Sequence, residues 1–276
     1  MEDSRRRDEL RSVRNAARLL KEFSPTDTEL GVSELARRLG LGVSTVHRLL
    51  TAMTEERLLD RGEVAGRYRL GLALYAIGAN VVPRTKLHEA ALPVMNELRH
   101  RTGETVHIAV LDGVDVVFVD RLEGLDTAGV FVGLGNRLPA HRTSTGKVLL
   151  AALPAETRYD VLRSMQWTAA EETSTTCTIL DPDELNAQLD KVAERGWAQN
   201  LQESRAGIAS LGAPVRGGDG EVVAGLSVAW PVGLRPPERV RRYKALVIEA
   251  AAMVSARMGA PRLMTGGTVG REPPAR

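Results

Sequence analysis

Residues 141–147 read His-Arg-Thr-Ser-Thr-Gly-Lys, a run in which hydroxyls, an imidazole and an amine fall close together. Ser144 and Lys147 have the S-x-x-K spacing of serine enzymes that attack β-lactams. That chemistry also requires S-D-N and K-T-G elements, and neither occurs in the chain. Gly146-Lys147 has the ending of a phosphate loop. The glycine required five residues earlier is His141, however, and Val148 stands where Ser or Thr must bind magnesium. Gly40-Leu41-Gly42 lacks the third glycine of a dinucleotide fingerprint and opens no βαβ unit. What remains is an anion site. Ser144, Thr145 and Gly146 open a helix, whose first N–H groups and positive dipole end suit a carboxylate. A hydrolase with Ser144 as nucleophile is the rival reading. Lys147 and His141 are near in sequence, but no third group that would orient a base is evident.

A second set of residues points to nucleic acid. Val46, Leu49, Leu50 and Met53 recur at helical spacing over Val43–Glu56, so Ser44, Thr45, His47, Arg48 and Thr51 face outward. Ser44 and Thr45 begin that helix, where hydroxyls and N–H groups suit phosphates. His47 and Arg48 extend from the same face, and an arginine can pair bidentately with guanine in the major groove. The five histidines, His47, His88, His100, His107 and His141, form no H-x-x-x-H pair. No metal site and no cofactor are expected, and surface or capping roles suit the histidines better.

These residues need elements to hold them. A first helix is expected from Leu10, after a charged, flexible arm over residues 1–11. A short helix over Ser33–Leu39 follows, with Gly31 as N-cap and Gly40 in the left-handed turn after it. With Val43–Glu56 it makes a helix-turn-helix, in which Leu35, Ala36 and Leu39 pack on Val46, Leu49 and Leu50. Leu58–Asp60 and Arg67–Leu70 form a wing-sized hairpin, from which Arg61 and Arg67 can reach DNA. Domains are expected over 12–71 and 85–260, with a linker helix over 72–84 punctuated by Pro83 and a disordered tail over 261–276. The second domain begins with a helix over Leu87–Leu98, kinked near Pro93. Strands follow over Thr105–Leu111, Asp115–Asp120 and Ala128–Val132. Helices are expected from Ser144 and over Asp183–Arg195. Ile208–Val215 and Glu221–Ala229 make a hairpin, and a helix over Arg239–Met258 closes the domain. Asp120 suits a surface ion pair or a turn, and Trp197 and Trp230 suit core packing better than a pocket lining.

Composition narrows the class. Hydrophobic residues make up 43% and charged residues 26% of the chain, as in ordinary globular proteins. The single Cys177 permits no intrachain disulfide and fits a reducing compartment. No apolar run approaches a membrane span, and the N-terminus has no signal-peptide core. The net charge of +2 lies within residues 1–80, which carry 14 Lys and Arg against 12 Asp and Glu. That excess is too small to establish nucleic-acid binding by itself.

The order of the blocks adds more. ELARRLGLGVSTVHRLLTAMTEERLLDR followed by GRYRLG resembles the DNA-binding domain of the IclR family of bacterial transcriptional regulators. GETVHIAVLDGVDVVFVDR, LPAHRTSTGKVLLA, GWAQN, GIASLGAPV and GEVVAGLSVAWP resemble successive blocks of that family's effector domain, over about residues 12–259 in all. The resemblance implies an α/β (α+β) chain: an N-terminal winged helix-turn-helix joined by a helix to a GAF-like α/β effector domain. It implies a cytoplasmic, nucleoid-associated regulator and not an enzyme, with repression rather than activation as the expected output. Its expected partners are a roughly palindromic double-stranded operator, a small organic acid and further copies of itself, as a dimer or tetramer. It places the effector at Ser144, Thr145 and Gly146, with Asn200, Ser210 and Ser227. Three positions in these blocks depart from the family's habit. Asn200 stands for an acidic residue, Ser210 for a cysteine, and Ala229 for the second of two serines.

Overall fold

In a computed structural model, residues 2–24, 27–79, 82–124, 135–165, 167, 175–233 and 235–261 are described. The chain divides into two compact units, Met1–Thr85 and Lys86–Arg276.

The first unit is helical with a small sheet. Helix α1 spans Glu2–Leu20, so it begins well before Leu10, inside the segment expected to be an arm. The charged start is rich in Arg and Glu, which are good helix formers. Strand β1 (Leu30–Gly31) leads into α2 (Val32–Leu39) and α3 (Val43–Glu55). Gly31 caps α2 in extended conformation, and Gly40 ends it with φ 65°, a value that glycine adopts at no steric cost. Strands β2 (Leu59–Arg61) and β3 (Arg67–Leu70) pair antiparallel, and β3 also pairs with β1 in the order β1-β3-β2. Leu19, Leu30, Leu35, Leu39, Val46 and Leu50 are buried together with Leu59 and Tyr68. Leu49 is only partly buried. Helix α4 (Leu72–Ala79) follows. Pro83 does not end a helix. It is the second residue of α5 (Val82–Thr102), where its missing N–H costs no helical bond.

The second unit is built on a six-stranded antiparallel sheet. Strands β4 (Thr105–Asp112) and β5 (Asp115–Leu122) form the expected hairpin. The short β6 (Arg137–Pro139) was not anticipated, nor was a 3-10 turn over Ala140–Arg142. The strand expected at Ala128–Val132 lies outside the described residues, as do residues 262–276 of the expected tail. Helix α6 (Ser144–Ala151) is followed by α7 (Ala155–Ser164), which sequence reading missed, and by α8 (Pro182–Arg195), capped by Asp181. Strands β7 (Ala198–Leu201), β8 (Ile208–Arg216) and β9 (Val222–Pro231) complete the sheet, and α9 (Pro237–Arg257) closes the chain. The strand order is β6-β5-β4-β9-β8-β7.

Alternation sorts the strand residues onto two faces. Val106, Ile108, Leu211, Leu226, Val228 and Trp230 pack with α5 and α9 residues such as Met95, Leu98 and Val247. Trp230 meets Tyr243 edge-on at 5.3 Å, so its expected core role holds. The opposite face carries α6. Gly212 and Gly225 admit it: a Cβ on Gly212 would lie 2.9 Å from the Ser144 carbonyl, and one on Gly225 would lie 2.9 Å from the Thr145 carbonyl. These two glycines bring the start of α6 onto the sheet.

Candidate nucleic-acid interface and ligand face

The first part of the site is the outer surface of α3. Gly42 caps the helix, and Ser44, Thr45, His47 and Arg48 are all exposed. Thr51, half-buried, turns its hydroxyl back to the His47 carbonyl at 3.0 Å, so it props the helix more than it presents a donor. The buried stripe Val46–Leu50–Met53 fixes which way the others point. Arg48 makes no hydrogen bond or ion pair among the described residues, which leaves its guanidinium available to a base edge or a phosphate.

The wing is less free than its sequence suggests. Arg61 donates to Tyr68 Oη at 2.5 Å and lies over the same ring. Arg67 donates to the Glu29 carbonyl at 2.6 Å. Both are exposed, but each must leave a protein partner to reach DNA. Arg69, which sequence reading passed over, is exposed on β3 with only a 4.0 Å approach to the solvated Glu63. Its register opposite Asp60, on the outward side of Tyr68, was the available signal.

The second part is the sheet face under α6. Thr143 is the N-cap of α6: its hydroxyl accepts from the Gly146 N–H at 2.8 Å. Ser144, Thr145 and Gly146 are buried, and Ser144 Oγ lies 2.8 Å from Ser210 Oγ. Strand register extends the arrangement. Asn200 pairs with Ser210, and Ser210 with Ala229; Gly212 pairs with Ser227, and Ser227 with His107. Directly paired residues share a face, so Ser210 and Ser227 both look toward α6. Asn200 lies on the same face by register, but its amide is engaged. Its Oδ1 accepts from the Glu203 N–H and its Nδ2 donates to Ser204 Oγ, both at 2.8 Å, so it ties its own loop.

Two charged residues close the far side of α6. Lys147 is fully buried, and its Nζ donates to the Glu203 carboxylate at 2.5 and 2.7 Å and to the Gln199 carbonyl at 3.2 Å. Burial pushes the lysine pKa down and the glutamate pKa up, and in each case the partner's charge opposes the shift. Lys147 is therefore committed to an ion pair and no hydrogen bond joins it to Ser144 among the described residues. The geometry of a serine hydrolase is not assembled.

His107 and His141 correct the surface or capping role expected of them: they are 4% and 2% exposed. Burial, then the charge of Arg121, holds His107 down to about 3. Burial, then Arg142 and Lys147, holds His141 down to about 4. Both are neutral at physiological pH. His107 packs edge-on against Phe118 at 5.2 Å, and His141 lies 5.3 Å from Trp167. Asp120 is hydrogen-bonded to His88 Nδ1 at 2.7 Å, a contact that is an ion pair only when that imidazole is protonated. Trp197 is only half-buried, under Arg195 and Lys244. A cavity of about 180 Å³ opens elsewhere, between the end of α6, α8 and the β8–β9 hairpin, and involves none of the expected effector residues. Among the described residues, no cluster of His, Cys, Asp and Glu suits a metal ion, and no helix is long and apolar enough to cross a membrane.

Known proteins are similar to this chain in sequence and fold. Residues 12–63 match the IclR helix-turn-helix domain, and residues 79–256 match the C-terminal domain of bacterial IclR transcriptional regulators. The HTH-type transcriptional regulator XynR of Escherichia coli is 30% identical over 91% of this chain and 98% of its own. The transcriptional repressor IclR of the same organism is 27% identical over 92% of both chains. The crystal structure of an IclR homolog from Microbacterium hydrocarbonoxydans, complexed with 4-hydroxybenzoate, superposes with a TM-score of 0.77 at 27% identity, covering 90% of this chain and 98% of that one. With its helix-turn-helix at one end, its curled sheet domain at the other and both family patterns in order, this chain belongs to the IclR family of bacterial transcriptional regulators, and is a DNA-binding regulator rather than an enzyme.

Proposed function

We propose that this regulator is a repressor that binds a roughly palindromic operator as a dimer and is controlled by a small organic acid held between the start of α6 and the sheet. The exposed row Ser44, Thr45, His47 and Arg48 on a helix fixed by its buried stripe carries the DNA reading. A palindrome follows from twofold symmetry, since two recognition helices meet two related half-sites. Apolar side chains left outside the first unit support self-association. Leu10 and Val13 on α1 and Leu72, Tyr75 and Ile77 on α4 are 60–77% exposed, a cost that a second copy would relieve. Pairing of such dimers would give a tetramer. Action on an operator places the protein in the bacterial cytoplasm, at the nucleoid.

Arg48→Ala should weaken specific operator binding by roughly 1–3 kcal/mol and relax preference at one base position, if Arg48 reads a base. A uniform loss across sequences with a shallower salt dependence assigns it to a phosphate. Competition binding on a randomised half-site separates the two. Footprinting that finds no protected region upstream of the protein's own gene or its neighbours would count against the operator reading.

The effector reading rests on Ser144, Ser210 and Ser227 gathered beside the start of α6. A similar protein is described in complex with 4-hydroxybenzoate, itself an organic acid. Thr145→Asp should abolish the response of operator binding to the acid, because the added charge meets the carboxylate, while basal operator binding stays. Ser227→Ala should weaken the acid about tenfold, since a hydrogen bond to a charged group is worth about 1.5–3 kcal/mol. Calorimetric titration of the full chain reads both. Unchanged affinity in both variants moves the effector elsewhere; no acid bound at all marks a regulator that acts without one.

A further inference from the structure

The register of β5 puts an arginine on the ligand face. His107 of β4 pairs with Ser227 on one side and with Arg121 of β5 on the other, so Gly212, Ser227, His107 and Arg121 form one row across four strands. A register shift between Ile108 and Ala109 makes this so. Ala109 pairs with Phe118 and Ile108 with Asp120, leaving Val119 as the extra residue of a bulge. Strict alternation from Phe118 would have put Asp120 on this face. The bulge turns Asp120 to the other side, where it meets His88 of α5, and brings Arg121 beside His107 instead. The proximity is electrostatically visible: the Arg121 charge helps to hold His107 neutral.

The guanidinium is placed to bind more than the protein gives it. Glu123, itself exposed, engages one nitrogen: its Oε1 lies 2.8 Å from Nη2. The side chain is only 14% exposed. Its Nε–H is buried and donates to nothing among the described residues. A buried donor left without an acceptor costs about 1–3 kcal/mol, which an acidic ligand would recover. The Arg121 and Ser227 backbones are two strand spacings apart, roughly 10 Å, and an arginine side chain spans much of that distance.

We propose that Arg121 is a second anion-binding group of the effector site, so that the effector is a small dicarboxylate: one carboxylate at the start of α6, the other on the Arg121 guanidinium. This rests on the effector reading above and specifies its ligand. Neutral His107 lies between the two ends and adds no charge of its own. Glu123 engages Nη2 alone, and the Nε–H beside it is the donor left for the ligand. An arginine suits the role because its planar fork matches a carboxylate.

The test titrates the full chain with succinate, glutarate and adipate and with butyrate, pentanoate and hexanoate, by calorimetry. At least one dicarboxylate should bind at least about tenfold more tightly than the monocarboxylate of equal length, the effect of one charge-assisted pair. Arg121→Gln should remove that preference and leave monocarboxylate affinity within about twofold; Arg121→Lys, which keeps the charge but not the fork, should keep part of it. Thermal unfolding of each unliganded variant checks folding. If no dicarboxylate outbinds its matched monocarboxylate, or if Arg121→Gln weakens both classes equally, the inference on Arg121 is overturned and the α6 site stands. If neither class binds, both fall.

Discussion

Replacing Glu203 by alanine will destabilise the second unit by roughly 3–5 kcal/mol, the usual cost of removing one partner of a buried ion pair. The reason lies in what is left behind. The Lys147 ammonium is fully buried, and without Glu203 it keeps, among the described residues, only the Gln199 carbonyl at 3.2 Å. The double change Lys147→Met with Glu203→Leu should recover most of the loss, because an apolar pair of similar volume needs no counter-charge. The three tryptophans, Trp167, Trp197 and Trp230, all lie in the second unit, so their fluorescence during urea unfolding reports on it alone. A cost below about 1 kcal/mol would mean that Lys147 finds another acceptor and that the pair does not hold α6 in place. The consequence reaches the ligand face, since Lys147 anchors the same helix whose first turn carries Ser144 and Thr145.

Acid will weaken the same unit well before its carboxylates titrate. His107 and His141 are held down to about 3 and about 4, while an unfolded histidine titrates near 6.5. The unfolded chain therefore binds protons that the folded chain refuses, and stability falls as pH falls below about 6.5. The loss continues down to the folded values. At pH 5 each histidine contributes about 1.5 units, or about 2 kcal/mol at 1.36 kcal/mol per unit, so the pair costs about 4 kcal/mol relative to pH 7.5. That is a large share of a domain's ordinary stability of about 5–15 kcal/mol. Urea midpoints followed by tryptophan fluorescence between pH 7.5 and 5 measure it. His107→Gln or His141→Gln should each remove about half of the slope. If either variant keeps the full wild-type slope, that imidazole becomes charged in the folded protein and its burial is relieved on protonation.

Local pattern made the first unit legible. Val46, Leu50 and Met53 recur at helical spacing, Gly40 marks a left-handed stop, and the segments around residues 61–66 read as a hairpin; each signal acts within a few residues. The β4–β5 and β8–β9 hairpins and the start of α6 at Ser144 were readable for the same reason. The family was legible because its blocks follow one another in order.

The chemistry of the second unit was decided by contacts between distant residues. Lys147 and Glu203 stand 56 positions apart, and no local periodicity relates them. His107 and His141 carry the residue type of surface groups, but they are buried because a sheet and its helices close over them. Asn200 was read as facing a ligand, yet the turn at Glu203 and Ser204 captures both ends of its amide. Arg121 is the clearest case. Alternation alone assigns Asp120 to the ligand face. One extra residue at Val119 reverses that assignment, because a strand's side chains change face at every step and a bulge shifts all that follow. The sequence determined which elements form and what residue types they carry. Register and packing between strands far apart in the chain decided which of those residues face one another.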